Sequence, residues 1–145
     1  GDDTGSRFFW ELVDKALAET AVMQLEDMDG TGVLYTYIGC SSENTEKVLK
    51  IVKNIFTELA EKGITEEELQ KAKNKRLSAE VISNEVPMGR LVELGLNWTY
   101  LKTYRDLQSD IDAFKAVTVA DVNGLIKQYD MNNFTQFSIG PAKPC

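Results

Sequence analysis

The chain has 145 residues and a net charge of −7, with 43% hydrophobic and 27% charged residues, a composition normal for one globular domain. The acidic balance argues against nucleic-acid binding, because a phosphate backbone requires a basic surface. The sequence contains no histidine, which excludes a Ser-His-Asp or Cys-His catalytic arrangement and a zinc site with imidazole ligands.

A first helix is predicted from near Ser6, because apolar residues recur there at helical spacing. These residues are Phe9, Leu12, Val13, Ala16 and Leu17. Asp2, Asp3 or Ser6 would cap its start. The opening segment Gly1–Gly5 lacks methionine, and we expect the chain to be a fragment of a larger protein.

Two strands are predicted next, over Thr20–Asp27 and Gly32–Cys40, because apolar and polar residues alternate in the first and β-branched and aromatic residues dominate the second. Asp29–Gly32 forms the turn between them, which gives a hairpin. Asp27–Gly30 also resembles the first half of a calcium-binding loop. Tyr35 and Thr36 occupy the later positions that such a loop would need, so the turn interpretation is favoured.

Helices dominate the middle of the sequence. A long amphipathic helix is predicted from Ser41 to Gly63, with a continuous apolar face. A capping box at Thr65–Glu68 opens the next helix, which runs towards Asn84 before Pro87 breaks the pattern. Because acidic residues stabilise a helix N-terminus, we interpret the glutamates of this box as a cap and not as a metal or acid cluster.

The last third of the chain is predicted to hold further helices and one strand. Arg90–Tyr104 is apolar and aromatic and partly helical, and Asp106–Lys115 forms another helix. A second capping box at Thr118–Asp121 opens a helix that ends near Tyr129. Asn133–Ile139 alternates in the manner of a strand.

Three aromatic residues in this part are candidate interface residues: Trp98, Tyr100 and Tyr104. Aromatic residues at this spacing are more often core or interface residues than the lining of a binding groove, although a groove remains an alternative. No other substrate-binding, catalytic or metal-ligating residue is predicted.

These elements predict an α+β fold with two layers, in which helices cover one face of a mostly antiparallel sheet. We expect residues 1–145 to form a single domain. Because three strands leave unprotected sheet edges, further strands should come from an absent part of the protein or from a second copy.

The sequence is compatible with the cytoplasm and with the periplasm or another extracytoplasmic space. Cys40, expected as a small buried residue, and Cys145, expected at a mobile end, are too few for a disulfide framework. No apolar run has the length of a membrane span, and no signal peptide opens the chain.

The ordered set of segments resembles the pitrilysin/insulinase family of zinc metallopeptidases. The first helix is similar to the family pattern S-R-L/F-F-x-E-L, and a hairpin with a glycine-rich turn follows it, as in the family. The remaining matched segments are Ser41-Ser42-Glu43-Asn44, Gly63-Ile64-Thr65-Glu66-Glu67-Glu68-Leu69 with Ala72-Lys73, Ala116-Val117-Thr118 with Asp121-Val122, and Ser138-Ile139-Gly140-Pro141. The resemblance extends over nearly the whole chain.

The resemblance implies one of two homologous α/β halves that close around a peptide. The catalytic half carries the motif H-x-x-E-H, whose histidines bind zinc and whose glutamate activates water. This chain lacks the motif, and its matched segments correspond to the later part of one half, after the region where the motif would lie. It therefore resembles the C-terminal part of a half, and we expect that half to be the non-catalytic one. Zinc is then expected in a partner catalytic half and no cofactor in this chain.

One family feature is not carried over. Many non-catalytic halves have an arginine in the first helix and a tyrosine at its end, in the pattern R-x-x-x-G-L-x-Y. The corresponding positions here are Val13 and either Glu19 or Thr20, so neither role is assigned to this chain.

The sequence therefore predicts a non-catalytic domain that completes a substrate chamber and supports an extended peptide. Its partner would be a catalytic half or a second copy. The alternative is a scaffold or subunit-interface module without peptide contact, like the respiratory-complex core proteins of similar build. An enzyme that uses carboxylates alone is a third possibility.

Overall fold

The computed structural model describes residues 4–141, which form two strands, five α-helices and short helical turns. The regular elements are β1 (Thr20–Met28), β2 (Thr31–Gly39), α1 (Thr45–Lys62), α2 (Glu66–Glu85), α3 (Pro87–Leu96), α4 (Leu107–Ala116) and α5 (Val119–Gln128). The short turns are Phe9–Val13, Ser42–Asn44 and Asn97–Leu101. The predicted α+β class is confirmed.

The chain divides into two compact units. The first holds the chain up to Lys62 together with the stretch from Tyr129 onward, and the second is Gly63–Gln128. The expectation that residues 1–145 form one domain stays a prediction. Cys145 and the possible caps Asp2 and Asp3 lie outside the described residues.

The predicted hairpin is confirmed in the first unit. β1 and β2 pair antiparallel from Thr20 opposite Gly39 to Met28 opposite Thr31. The turn consists of Asp29 and Gly30, and Gly30 has a φ of 76°, where residues with a Cβ are disfavoured. The turn interpretation of Asp27–Gly30 is thus correct.

We expect Gly30→Val to lower the free energy of unfolding by about 1 kcal/mol or more, since no atom crowds the site and the cost is backbone strain alone. Urea denaturation measures the change. Thr31→Val places the same side chain one residue further on, in β2, and should have little effect. Equal stability of the Gly30 variant and the original chain would contradict the turn geometry.

The first unit is held together by the packing of α1, the first helical turn and the start of the hairpin. Its core contains Phe8, Leu12, Ala18, Ala21, Val48, Val52, Ile55 and Phe56. Leu12 is 0% exposed, and the ring of Phe56 lies 6.0 Å from that of Phe8 and 5.8 Å from that of Phe134. The predicted apolar face of α1 therefore forms this core. Cys40 is half-buried against it and not fully buried as expected.

The first helix is shorter than its apolar spacing predicts. The backbone N–H of Phe9 donates to Ser6 Oγ at 3.1 Å, so Ser6 caps the helical start as expected. The helical turn ends at Val13, and Ala16 has a φ of 53°. The apolar spacing continues through Leu17, but the left-handed residue at position 16 cannot continue a right-handed helix.

The predicted strand Asn133–Ile139 is wrong, because no strand includes this stretch and the sheet in the described part of the chain has two strands. Phe134 packs on Phe56, whereas Phe137 is 82% and Ile139 88% exposed. Alternation specifies which side chains share a face, but a strand also needs a neighbour for its backbone hydrogen bonds. The sequence pattern does not supply that neighbour.

Both predicted capping boxes are confirmed in the second unit. Thr65 Oγ1 accepts from the backbone N–H of Glu68 at 3.2 Å, and Glu68 Oε2 accepts from that of Thr65 at 2.8 Å. Thr118 and Asp121 repeat this exchange at the start of α5, at 3.2 and 2.8 Å. The hydrogen bonds from Thr118 hold the pKa of Asp121 below its usual value.

Pro87 begins a helix as well as interrupting the one before it. Val86 has extended backbone after α2, and Pro87 occupies the first position of α3, where its missing N–H costs nothing. The partly helical segment predicted over Arg90–Tyr104 thus consists of most of α3, the turn Asn97–Leu101 and an irregular link. Asp106 caps α4, the predicted helix that follows the link.

Candidate interaction surfaces

The three predicted interface residues lie together at the end of α3 and just after it. Trp98 and Tyr100 are in the turn Asn97–Leu101, and Tyr104 is in the link before α4. Their exposed fractions are 60%, 65% and 68%. The core alternative for these residues is therefore wrong, while their role in an interface stays a prediction.

Helix α3 presents its apolar residues to solvent. Met88, Leu91, Val92 and Leu96 recur at helical spacing and are each at least half exposed. The charged residues of the same helix, Arg90 and Glu93, have side chains only 22% and 27% exposed. An apolar stripe facing outward, with charges turned inward, is typical of a surface that contacts another molecule.

We call these residues together with the three aromatic residues the apolar surface: Met88, Leu91, Val92, Leu96, Trp98, Tyr100 and Tyr104. The sequence signal that revealed its aromatic end was the high apolar count after Arg90. The sequence predicted association through Leu94–Tyr104, which includes Leu96. It did not identify Met88, Leu91 and Val92, because apolar residues at helical spacing are ordinarily a buried face.

Arg90 fixes the backbone that carries the aromatic residues. Its guanidinium donates to Asn84 Oδ1 at 3.1 Å and to the backbone carbonyl of Arg105 at 3.0 Å, and it lies 3.5 Å from a carboxylate oxygen of Glu93. One side chain thus links the end of α2, helix α3 and the link that contains Tyr104. Lys102 supports the same link, because its left-handed conformation ends the turn and its N–H donates to the carbonyl of Trp98 at 3.2 Å.

A second set of polar contacts follows at the start of α4. The backbone N–H of Ser109 donates to Asp106 Oδ1 at 2.7 Å, and hydrogen bonds from Ser109 hold the pKa of Asp106 below its usual value. The stability that this cap contributes is present above the ordinary aspartate pKa and is lost as the pH falls through the depressed one. Arg105 also pairs with Asp110, which is buried.

The hairpin in the first unit carries a second exposed surface. Leu25 and Leu34 are register partners on the same face as buried Ala21, yet they are 65% and 53% exposed. Tyr37 is 59% exposed on the opposite face. The sequence predicted that the sheet would be incomplete. These three side chains lie where the described part of the chain leaves the sheet exposed to solvent.

Among residues 4–141, no three acidic or cysteine side chains lie close enough to hold a metal ion. The glutamates 66–68 form the start of α2, and one of them, Glu67, pairs with Lys71 at 2.7 Å. The possibility of an enzyme that uses carboxylates alone gains no support from this arrangement.

Known proteins share both sequence and fold with this chain. A family model described as the peptidase M16 inactive domain matches residues 1–76. Over 98% of this chain, YmxG of Bacillus subtilis, described as an uncharacterized zinc protease, is 24% identical and is covered over 35% of its own length. YmxG of Helicobacter pylori, described as a non-peptidase homolog, is 31% identical over 96% of this chain and 32% of its own.

The structural comparison gives the same fold. A crystal structure described as the inactive peptidase domain of a zinc protease homologue from Bordetella parapertussis superposes with a TM-score of 0.76, at 23% identity. The superposition covers 99% of this chain and 79% of that chain. The two-stranded antiparallel sheet with its helices is therefore part of an M16 inactive-domain fold.

The chain belongs to the inactive-domain family of the M16 peptidases, and the predicted pitrilysin/insulinase relationship is confirmed. It spans about a third of the length of the curated relatives that it matches. None of the helices in the described residues is both long and apolar enough to cross a membrane.

The family comparison also bears on the first helix. Ala16 has the positive φ that the glycine of the pattern R-x-x-x-G-L-x-Y would readily adopt. If Ala16 occupies the glycine position, Leu17 takes the place of the leucine and Glu19 that of the tyrosine. In this alignment the arginine position is Leu12, one residue before the Val13 that the sequence alone indicated. Leu12 is buried and Glu19 is exposed, and neither offers the chemistry of the family's arginine or tyrosine.

Proposed function

We propose that the chain is the non-catalytic part of a zinc metallopeptidase, in which it completes the substrate chamber and supports an extended peptide. The observation that carries this proposal is membership of the inactive-domain family together with a sequence that lacks histidine. The zinc ion and the water-activating glutamate then belong to a partner that carries H-x-x-E-H.

Two features support a partner of this kind. The apolar surface on α3 and the turn after it exposes large apolar side chains, and their burial against a partner would be favourable in free energy. The hairpin offers strand edges, and an extended peptide binds such an edge through main-chain hydrogen bonds. The first feature would serve assembly and the second would serve peptide binding.

The second candidate function is a scaffold or subunit-interface module that never contacts peptide. One observation favours it: a relative that shares 31% identity is described as a non-peptidase homolog. The chamber function requires a partner with H-x-x-E-H, whereas the scaffold function requires a partner without it. Purification of the native complex, followed by sequencing of the partner chain, separates the two functions.

We expect the isolated chain to bind no stoichiometric zinc and to cleave no peptide, since it has no imidazole ligand and no H-x-x-E-H motif. Metal analysis by mass spectrometry and a fluorogenic peptide assay measure the two quantities. One zinc ion per chain, with cleavage that a chelator abolishes, would overturn the non-catalytic assignment.

A further inference from the structure

Residues 97–106 form a surface segment that we call the strap. It consists of the turn Asn97–Leu101 and the link that leads to α4. Asn97 is half-buried and every residue from Trp98 to Asp106 is exposed, so no side chain of the strap packs in the interior of the second unit. A segment with so little buried surface opens locally at a low free-energy cost, because few contacts are lost when it detaches.

The backbone of the strap departs from ordinary helical geometry. Between Asn97 and Leu101 the helix widens into a single π-helical turn, a geometry that is found in short pieces and often at functional sites. The turn ends at Lys102, which has a φ of 53°, a conformation disfavoured for a residue with a Cβ. Opening of the strap would relieve this strain.

Two arginines connect the strap to the helices around it. The guanidinium of Arg90 in α3 donates to the backbone carbonyl of Arg105 at 3.0 Å and to Asn84 Oδ1 at 3.1 Å. The guanidinium of Arg105 pairs with Asp110 in α4. Arg90 thus connects the strap to α2 and α3, whereas Arg105 and the cap that Asp106 forms connect it to α4.

These two arginine contacts differ in the cost of breaking them. Asp110 is 6% exposed, and its second carboxylate oxygen has no hydrogen-bond partner among the described residues. Separation from Arg105 would therefore leave a buried charge without compensation. The carbonyl that Arg90 contacts belongs to an exposed residue, and water solvates it once the contact breaks. Opening at the Arg90 contact is the less costly of the two.

We propose that the strap opens and closes as one unit, with Arg90 as the contact that releases it and the Arg105–Asp110 pair as its hinge. Because the strap carries Trp98, Tyr100 and Tyr104, opening changes the positions of all three together. The aromatic part of the apolar surface is then adjustable, whereas the part on α3 keeps its position. This inference goes beyond the proposed function, since the opening is a property of the chain alone and needs no partner.

Limited proteolysis of the chain with chymotrypsin tests the proposal, because this protease cleaves after aromatic residues and needs an open backbone. Mass spectrometry of the fragments assigns each cut. Cleavage after Trp98, Tyr100 and Tyr104 should be at least about tenfold faster than cleavage after Phe114, since local opening exposes the strap while α4 stays folded.

Arg90→Lys should accelerate cleavage at the strap sites by about a further tenfold or more. Lysine keeps the charge but lacks the planar fork that reaches two acceptors, and loss of a hydrogen bond from a charged donor raises the open population by about that factor. The matched control is Arg76→Lys in α2, where Arg76 pairs with Glu80 at 3.4 Å. This control should leave cleavage of the strap unchanged.

A second variant and a second measurement complete the test. Asn84→Ala removes the acceptor that orients Arg90 and leaves the strap itself intact, so it should accelerate cleavage of the strap by a smaller factor than Arg90→Lys. In hydrogen exchange, the amides of residues 98–104 should exchange faster in both variants, and those of α4 should not change. If Arg90→Lys also accelerates cleavage after Phe114, the whole unit is destabilised and Asn84→Ala decides the result.

Four results would overturn the proposal. Equal cleavage after Phe114 and at the strap sites in the original chain would mean that the strap opens only when its unit unfolds. Unchanged cleavage of the strap in both the Arg90 and the Asn84 variants would remove Arg90 as the releasing contact, as would equal acceleration by Arg76→Lys. Acceleration after Tyr104 alone would mean that the three aromatic residues do not move together.

Discussion

Replacing Trp98 with alanine should leave the chain folded and weaken its association at least about thirtyfold, since truncation of a buried interface tryptophan typically costs at least about 2 kcal/mol. The indole is 60% exposed in the isolated chain, so its removal leaves no cavity in the core. Sedimentation over micromolar concentrations measures the association with a second copy or with a catalytic partner.

Trp10→Ala is the matched control, because Trp10 is also about half exposed but belongs to the first unit and is not a residue of the apolar surface. Circular dichroism should show both variants folded. Unchanged association of the Trp98 variant would remove this residue from the interface. A chain that stays monomeric over the whole micromolar range would refute self-association. The catalytic partner would then be the remaining candidate to bind the apolar surface.

Leu12→Ala should lower the free energy of unfolding by about 2–5 kcal/mol, the range found when a buried leucine is truncated. Leu12 is 0% exposed and packs in the core formed by the first helical turn, β1 and α1. Thermal and urea denaturation measure the loss.

Leu25→Ala serves as the control, because it removes the same atoms from a side chain that is 65% exposed. We expect it to change stability by about 0.5 kcal/mol or less, in the range of ordinary surface substitutions. Similar losses in the two variants would contradict the position of the core.

Much of the local structure could be predicted, because short-range patterns determine it. The turn at Asp29 and Gly30 and the two capping boxes depend on contacts between residues at most three apart. The predictions that proved wrong depended on features that the local sequence pattern does not specify. The predicted strand Asn133–Ile139 lacks a neighbour, and the first helix ends at Val13 because Ala16 adopts a left-handed conformation.

The candidate site could be predicted only in part for the same reason. The aromatic residues after α3 were conspicuous in the sequence, but their exposure depends on how α3 is oriented. Arg90 turns inward to bind Asn84 and the carbonyl of Arg105, which leaves Met88 and Leu91 facing solvent. Sequence periodicity identifies an apolar face but does not specify which side of the helix packs inward.

The most direct test of the proposed function is the rate of fluorogenic peptide cleavage by a catalytic partner that carries H-x-x-E-H, measured as this chain is added. We predict no cleavage by this chain alone, and a rate that rises with its concentration and saturates at one equivalent. A partner that cleaves equally fast without the chain, or a chain whose own cleavage is abolished by a chelator, would contradict the proposal.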